Sequence, residues 1–231
     1  MRTTVFASFC AQDILRRAFG TAADIRALPP SPYLPSETAS HADMLMLYAQ
    51  GRLFAPAYYY QLYPSLFSGI DVTLSEERHT SDYPGDVLFN AFILNGYLYG
   101  KTDSIAAAVR THCKSSGILP CSVRQGYAKC SCAVLPNAVI TADAGIYRAL
   151  QKNGTDALLI SEGGIGLHGY AYGFIGGASF YLDGKLYFFG AAESHPSYIE
   201  IAAFCEGHGA QVVSLGSGEL YDYGGAVIIR E

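Results

Sequence analysis

The chain has 231 residues, a net charge of -5 and a half share of hydrophobic residues. That is enough apolar material for one sizeable core, and the lack of any Lys/Arg run excludes nucleic acid and acidic membrane surfaces as natural partners. No apolar stretch approaches the roughly 20 residues of a membrane-spanning helix, and "MRTTVFASFCAQDILRR" has no apolar run ending in a signal-cleavage site, so a cytoplasmic protein is expected.

In chain order, the head supplies a strand in "TTVFAS", a helix over "AQDILRRAFG" and a strand in "DIRALPP". Segment 28–40, "LPPSPYLPSETAS", reads as a linker. A hairpin comes next in "DMLMLYAQGRLFAP", turning at Gln50-Gly51, then "YYYQLYPSLFSG", where Pro64 predicts a short or broken helix, then the strand "IDVTLSE". The tyrosines at 58–60 read as packing or as a dimer contact. "NAFILNGYLYG" turns at Asn95-Gly96, a strong hairpin signal. It is followed by a helix in "TDSIAAAVRTHCKSSG", with Thr102 or Asp103 as N-cap, and the strand "ILPCSVR". "CAVLPNAVITAD" turns near Pro136-Asn137 and leads into the helix "DAGIYRALQKNG", closed by a C-cap glycine, and the strand "DALLISE". "ASFYLDGKLYFFG" turns at Asp183-Gly184 and leads into the helix "SHPSYIEIAAFCEGHG", with Ser194 as N-cap, and the strand "AQVVSL". The tail "YDYGGAVIIRE" is a first strand with nothing after it.

The turns begin at 50, 95, 136 and 183, so the spacings are 45, 41 and 47 residues. A period in this range signals a repeat architecture, here β-β-α-β four times. Joining tail to head gives a fifth copy, and a ring closed in this way leaves no gap and protects its sheet edges. The expected fold is α/β: one domain over 1–231, a five-fold pseudosymmetric α/β propeller whose units span 219–231 with 1–27, 41–77, 83–125, 127–163 and 169–218.

Five such units around one axis resemble the pentein superfamily of guanidine-modifying enzymes, which includes arginine deiminase, agmatine deiminase, dimethylarginine hydrolase and the amidinotransferases. "GFIGG" at 173–177 is similar to a degenerate form of that family's "GHxD" segment, and "YDYGGAVII" resembles its nucleophile-bearing terminal strand. The full-chain likeness is nearest to a bacterial branch defined as a domain of unknown function. The resemblance implies a Cys that attacks the guanidinium carbon, a His as general acid/base and carboxylates that hold the cation. At the matching positions the chain departs from this pattern. Phe174 stands where the His would be and Gly176 where the Asp would be, and "GGAVII" holds neither Cys nor His. The usual triad therefore does not carry over, and conventional turnover of arginine, agmatine or methylarginine is not expected.

First strands should run near the axis with their starts facing a pocket. Counting back from each turn brings His41, Asp43, Asp86, Lys129, Cys130 and Asp222 into one neighbourhood, with Asn90 and Phe174 as further ligand-binding candidates. On a strand, Cys130 and Cys132 would face the same way. They read as buried apolar residues, as a reactive thiol at Cys130, or more weakly as metal ligands, since a lone C-x-C lacks a second pair. Cys10, Cys113, Cys121 and Cys205 read as reduced core residues. His195 either points into the pocket or satisfies backbone beside a helix start, and His168 is a loop residue with a smaller claim to function. His79, His112 and His208 read as loop or helix-end residues.

Three readings result. In the first, the chain binds a small polar or cationic ligand of guanidine or amine type, with Asp43, Asp86, Asn90, Lys129, Phe174 and Asp222 as contacts. In the second, it is a divergent hydrolase or transferase with Cys130 as nucleophile and His41 or His195 as base. In the third, it is a structural ring that binds a macromolecular partner. No metal or cofactor is expected, and the state is monomer or homodimer.

Overall fold

The computed structural model describes residues 3–230. Residues 1, 2 and 231, part of the expected fifth unit, lie outside the described residues. The head contains β1 (Thr3–Ser8), α1 (Gln12–Phe19) and β2 (Asp24–Leu28). The next unit has α2 (Ala42–Leu45), β3 (Leu47–Ala49), β4 (Arg52–Pro56), α3 (Ala57–Leu62) and β5 (Val72–Ser75). It is followed by β6 (Phe92–Leu94), β7 (Tyr97–Gly100), α4 (Ala107–Ser115) and β8 (Leu119–Ser122). Then come β9 (Cys132–Val134), β10 (Ala138–Thr141), α5 (Ala144–Lys152) and β11 (Asp156–Leu159). A short strand, β12 (Ile165–Gly166), precedes β13 (Ser179–Leu182), β14 (Lys185–Phe188), α6 (Tyr198–Gly207) and β15 (Gln211–Ser214). The tail carries β16 (Leu220–Tyr221) and β17 (Ala226–Arg230).

These strands form five three-stranded sheets of one design, plus a two-stranded β12–β16 pair. In each of the five, the first strand pairs antiparallel with the second, and the second pairs parallel with the third after a helical crossover. The fifth sheet joins the ends of the chain: β17 pairs antiparallel with β1, from Thr3↔Arg230 to Ala7↔Ala226, and β1 pairs parallel with β2. The β-β-α-β unit is thus present five times. The first strands lie next to one another: β17 beside β3, β3 beside β6, β9 beside β13, and β13 beside β17. Second strands such as β10 are buried throughout, whereas third strands such as β8 and β15 are half-exposed edges.

Local chemistry explains the hairpins. Gln50, Asn95 and Asp183 adopt φ of 50°, 50° and 52°, each followed by a left-handed glycine, the conformation of a two-residue type I′ turn. The Pro136-Asn137 turn is also two residues long, flanked by Leu135 N–H donating to the Ala138 carbonyl, but neither of its residues is left-handed. α5 starts on the Asp143 side chain, which accepts from Ile146 N–H at 2.8 Å, and buries Ile146 and Leu150, each worth about 1.5–3 kcal/mol when fully buried. α3 stops before Pro64, as its sequence predicts.

Several local expectations are corrected. α4 starts at Ala106, not at Thr102 or Asp103, because the Glu77 carboxylate, 30 positions upstream, accepts from Ala107 N–H at 2.7 Å. α6 starts at Ser197, while Ser194 donates to the Ala191 carbonyl. Tyr58 and Tyr59 are buried, which removes the dimer-contact reading for them. His79 is no surface loop residue: it is 1 % exposed, with Nδ1 2.8 Å from the Tyr58 hydroxyl, and burial pushes it down to about 4. Segment 28–40 is a packed loop, with Pro29 accepting from the Tyr59 hydroxyl and Ser31 bonded to Tyr58. Among the described residues no helix is long and apolar enough to cross a membrane.

Candidate functional site

The starts of the first strands converge, but not as strands. His41 and Asp43 sit at the entrance to the four-residue α2, and Cys130 lies in a turn before β9. The expectation that Cys130 and Cys132 share a strand face therefore fails: Cys132 opens β9 inside the core, while Cys130 reaches a pocket. That pocket holds about 270 Å³ between His41, Cys130 and Asp222, walled by Tyr127, Tyr170, Tyr172 and Phe174.

Asp222 is the organising residue. One carboxylate oxygen accepts from Phe174 N–H at 2.9 Å and the other from Gly224 N–H at 2.9 Å, while His41 Nδ1 stands 3.7 Å away. Its place depends on glycine. A Cβ on Gly177 would run into the Asp222 carboxylate, and one on Gly224 would run into the His41 side chain. Gly224 also has a φ of 77°, which other residues rarely adopt. The glycines of "GFIGG" thus let a loop close onto Asp222 and onto the Cys130 turn, where Gly176 N–H donates to the Cys130 carbonyl at 2.7 Å.

Asn90 ties the opposite wall together. It is fully buried, and its carbonyl oxygen accepts from Lys129 N–H at 2.8 Å and Cys130 N–H at 3.1 Å. Its amide nitrogen lies 2.9 Å from Cys130 Sγ, 3.2 Å from the Asp43 carbonyl oxygen and 3.2 Å from Met44 Sδ. Asp43 is 3 % exposed, and its carboxylate lies against the Cys130 thiol. Burial first, then the charge of Asp222, pushes it up to about 7, against the pull of Lys129. Burial, then Asp43 and Asp222, holds the Cys130 thiol well above the usual thiol range. Cys132 is pushed up to about 12 by burial. Burial lowers His41 despite the opposing pull of Asp222, which favours a neutral imidazole.

The other candidates scatter. Asp86 is buried behind the pocket wall, with one oxygen accepting from the Tyr127 hydroxyl, and burial raises it. Lys129 faces a different and larger cavity. His195 lines a small cavity of about 130 Å³ with Ser131 and Asp143, on the far side of Tyr172 and Phe174. Its Nδ1 accepts from Ser197 N–H at 3.0 Å, which leaves the proton on Nε2. His168 is on an exposed loop, its N–H donating to the Tyr221 hydroxyl. Sequence reasoning missed Tyr170 and Tyr172 at the pocket mouth; the only signal was their place in the loop before the glycines. Among the described residues no cluster of three or more His, Cys, Asp or Glu could hold a metal ion.

The family described as "Family of unknown function (DUF6873)" matches residues 17–227. The chain belongs to the DUF6873 family. No curated protein matches it in sequence. Solved structures place this DUF6873 protein in the pentein fold. DDAH from Pseudomonas aeruginosa, as a cysteine mutant complexed with citrulline, aligns with TM-score 0.57 at 13% identity over 95% of this chain and 86% of that one. A saxitoxin-pathway amidinotransferase from Microseira wollei aligns with TM-score 0.58 at 10% identity over 96% and 80%. The agmatine deiminase of C. jejuni aligns with TM-score 0.53 at 10% identity over 95% and 79%. At these identities the likeness is one of fold.

Proposed function

We propose that this DUF6873 protein is a five-bladed, axially closed pentein ring that binds a small cation of guanidine or amine type in the His41–Cys130–Asp222 pocket. The observation that carries the reading is the buried Asp222 carboxylate at one side of a pocket whose walls include four aromatic rings, with Met44 and Leu167 beside them. A carboxylate supplies the counter-charge and ring faces attract a desolvated cation. Phe174 and Tyr127 stack at 6.2 Å with 27° between their planes, so the wall is a rigid surface suited to a planar group. The solved pentein relatives include DDAH complexed with citrulline and agmatine deiminase with substrate bound, which fits a guanidine-like ligand. On this reading the partner is the small molecule, and the protein acts in the cytoplasm without a cofactor.

A second reading has one observation in its favour: Cys130, His41 and Asp222 line the same pocket, the residue types of a thiol hydrolase or transferase. Two buried carboxylates, Asp43 and Asp222, oppose the thiolate that such chemistry requires, whereas the same carboxylates favour a bound cation. Binding therefore ranks above catalysis. His195 belongs to a separate cavity and is the weaker candidate for a base.

Calorimetric titration with agmatine, arginine and methylguanidine tests the reading. At least one should bind, Tyr172→Ala should weaken it about tenfold, in line with roughly 1–2 kcal/mol for a cation–π contact, and Asp222→Asn should abolish it. Absence of binding by all three would sink the proposal. Product formation lost on Cys130→Ala would promote the enzyme instead.

A further inference from the structure

The His41 pocket limits the kind of cation it can take. Its volume of about 270 Å³ lies just under the range of about 300–1,000 Å³ usual for drug-sized ligands. Its ring walls lie in more than one plane. Tyr127 and Phe174 are stacked, while the Tyr172 ring is 6.4 Å from Phe174 with 87° between their planes. A flat cation covers one such wall, whereas a tetrahedral one meets both. Hydrogen-bonding capacity in the pocket is low. Asp222 is 1 % exposed and each of its oxygens already accepts from a backbone N–H, so it acts on a ligand as a charge more than as a free fork of acceptors. The Tyr127 hydroxyl is bonded to Asp86 and the Tyr172 hydroxyl to Glu162. An alkylguanidinium carries five N–H donors and a primary ammonium three, and a buried donor without an acceptor loses its hydration uncompensated. A quaternary ammonium carries none, and aromatic rings beside a carboxylate suffice for it. Among the described residues no Lys or Arg lines the pocket, and Tyr170 at its mouth lies in the field of Glu37 and Asp86. A ligand carboxylate or phosphate would meet like charge there.

We infer that the ligand class of the His41 pocket is a quaternary methylammonium group on a short uncharged tail, of choline type; this rests on the cation reading given above and narrows it. The methyl groups fill the corner between the stacked pair and Tyr172, the Asp222 charge acts across the pocket without a direct hydrogen bond, and the neutral tail leaves past Tyr170. Selection against other cations comes from their N–H donors, and selection against zwitterions comes from the acidic surroundings.

The test is calorimetry on the full chain at pH 7.5 with choline and five comparison compounds. Ethanolamine keeps the charge but carries N–H donors, and 3,3-dimethylbutan-1-ol keeps the shape but not the charge. Glycine betaine and phosphocholine add an anion, the second standing for a lipid headgroup, and methylguanidine is the flat cation. Choline should bind at least tenfold more tightly than each of the five. Tyr172→Leu, at a 40 % exposed position, should weaken choline at least fivefold, whereas Tyr172→Phe, which keeps the ring, should not. Choline bound no better than ethanolamine or 3,3-dimethylbutan-1-ol would overturn the inference, and so would glycine betaine or phosphocholine bound as tightly as choline, or full choline affinity in Tyr172→Leu. Methylguanidine bound more tightly than choline would overturn it and leave the cation reading standing. No binding by any of the cations would remove both.

Discussion

The side-chain amide of Asn90 stands 2.9 Å from the sulfur of Cys130 while its carbonyl oxygen receives the backbone N–H of the same cysteine at 3.1 Å. One fully buried side chain thus holds the Cys130 turn by both backbone and side chain, and also holds the Asp43 carbonyl. Asn90→Ala would strand the N–H groups of Lys129 and Cys130 in the core. Unsatisfied buried groups cost about 1–3 kcal/mol each, so urea unfolding should show a loss of about 2–6 kcal/mol. A loss below about 1 kcal/mol would show that water replaces the amide.

Thiol reactivity is set by the same geometry. Cys130 is buried beside two carboxylates and its thiolate is disfavoured, whereas Cys10 is exposed. Iodoacetamide on native protein at neutral pH should modify Cys10 first and leave Cys130 untouched until the solution is strongly alkaline. A bound guanidine or amine should protect Cys130 further. Fast modification of Cys130 below about pH 7, under the ordinary thiol value near 8.5, would reverse the ranking of binding over catalysis.

Asp43 gives stability a pH dependence of definite sign. Its folded-state value is raised to about 7, from an unfolded value of about 3.9. Between these values the folded chain keeps a proton that the unfolded chain has released, so stability falls as pH rises from about 4 to about 7. Above that window the full penalty, on the order of a few kcal/mol, is present. Asp43→Asn should therefore be more stable than the parent at pH 8 and similar at pH 4, by urea midpoints at the two values. The opposite order would mean that the ionised carboxylate is satisfied in the fold.

Gly177→Ala tests the close approach of the glycine loop to Asp222. The added methyl would meet the carboxylate directly, and overpacking of this kind typically costs about 1–3 kcal/mol. Thermal unfolding should shift down, and guanidine or amine binding should be lost because Asp222 is displaced. Unchanged binding would mean that Asp222 has room to retreat.

The repeat is legible in the sequence because three of its turns carry an X-Gly pair that must adopt left-handed geometry, at Gln50, Asn95 and Asp183. Strand types, their order and the pairing of the two chain ends derive from that period. The features that escape a sequence reading are set by contacts distant in the chain. The start of α4 depends on Glu77, which no local pattern near Thr102 reveals. The sequence pattern around Cys130 suggests a strand longer than the three residues of β9, so strand periodicity misplaces its side chain. The convergence of His41, Cys130 and Asp222 can be read from unit spacing. The separation of His195 and Lys129 into other cavities cannot, because a register count says nothing about which side of a wall a residue faces.

The pairing of Thr3 with Arg230 places the two ends of the described chain opposite each other in one antiparallel ladder. A short connector should therefore join Arg230 to Thr3 without disturbing that sheet, and new ends could be opened at the exposed Asn95-Gly96 turn. Such a circular permutant would keep every sheet and the His41 pocket while changing which unit is made first. The order in which the units are synthesised is thereby separable from the way they hold one another.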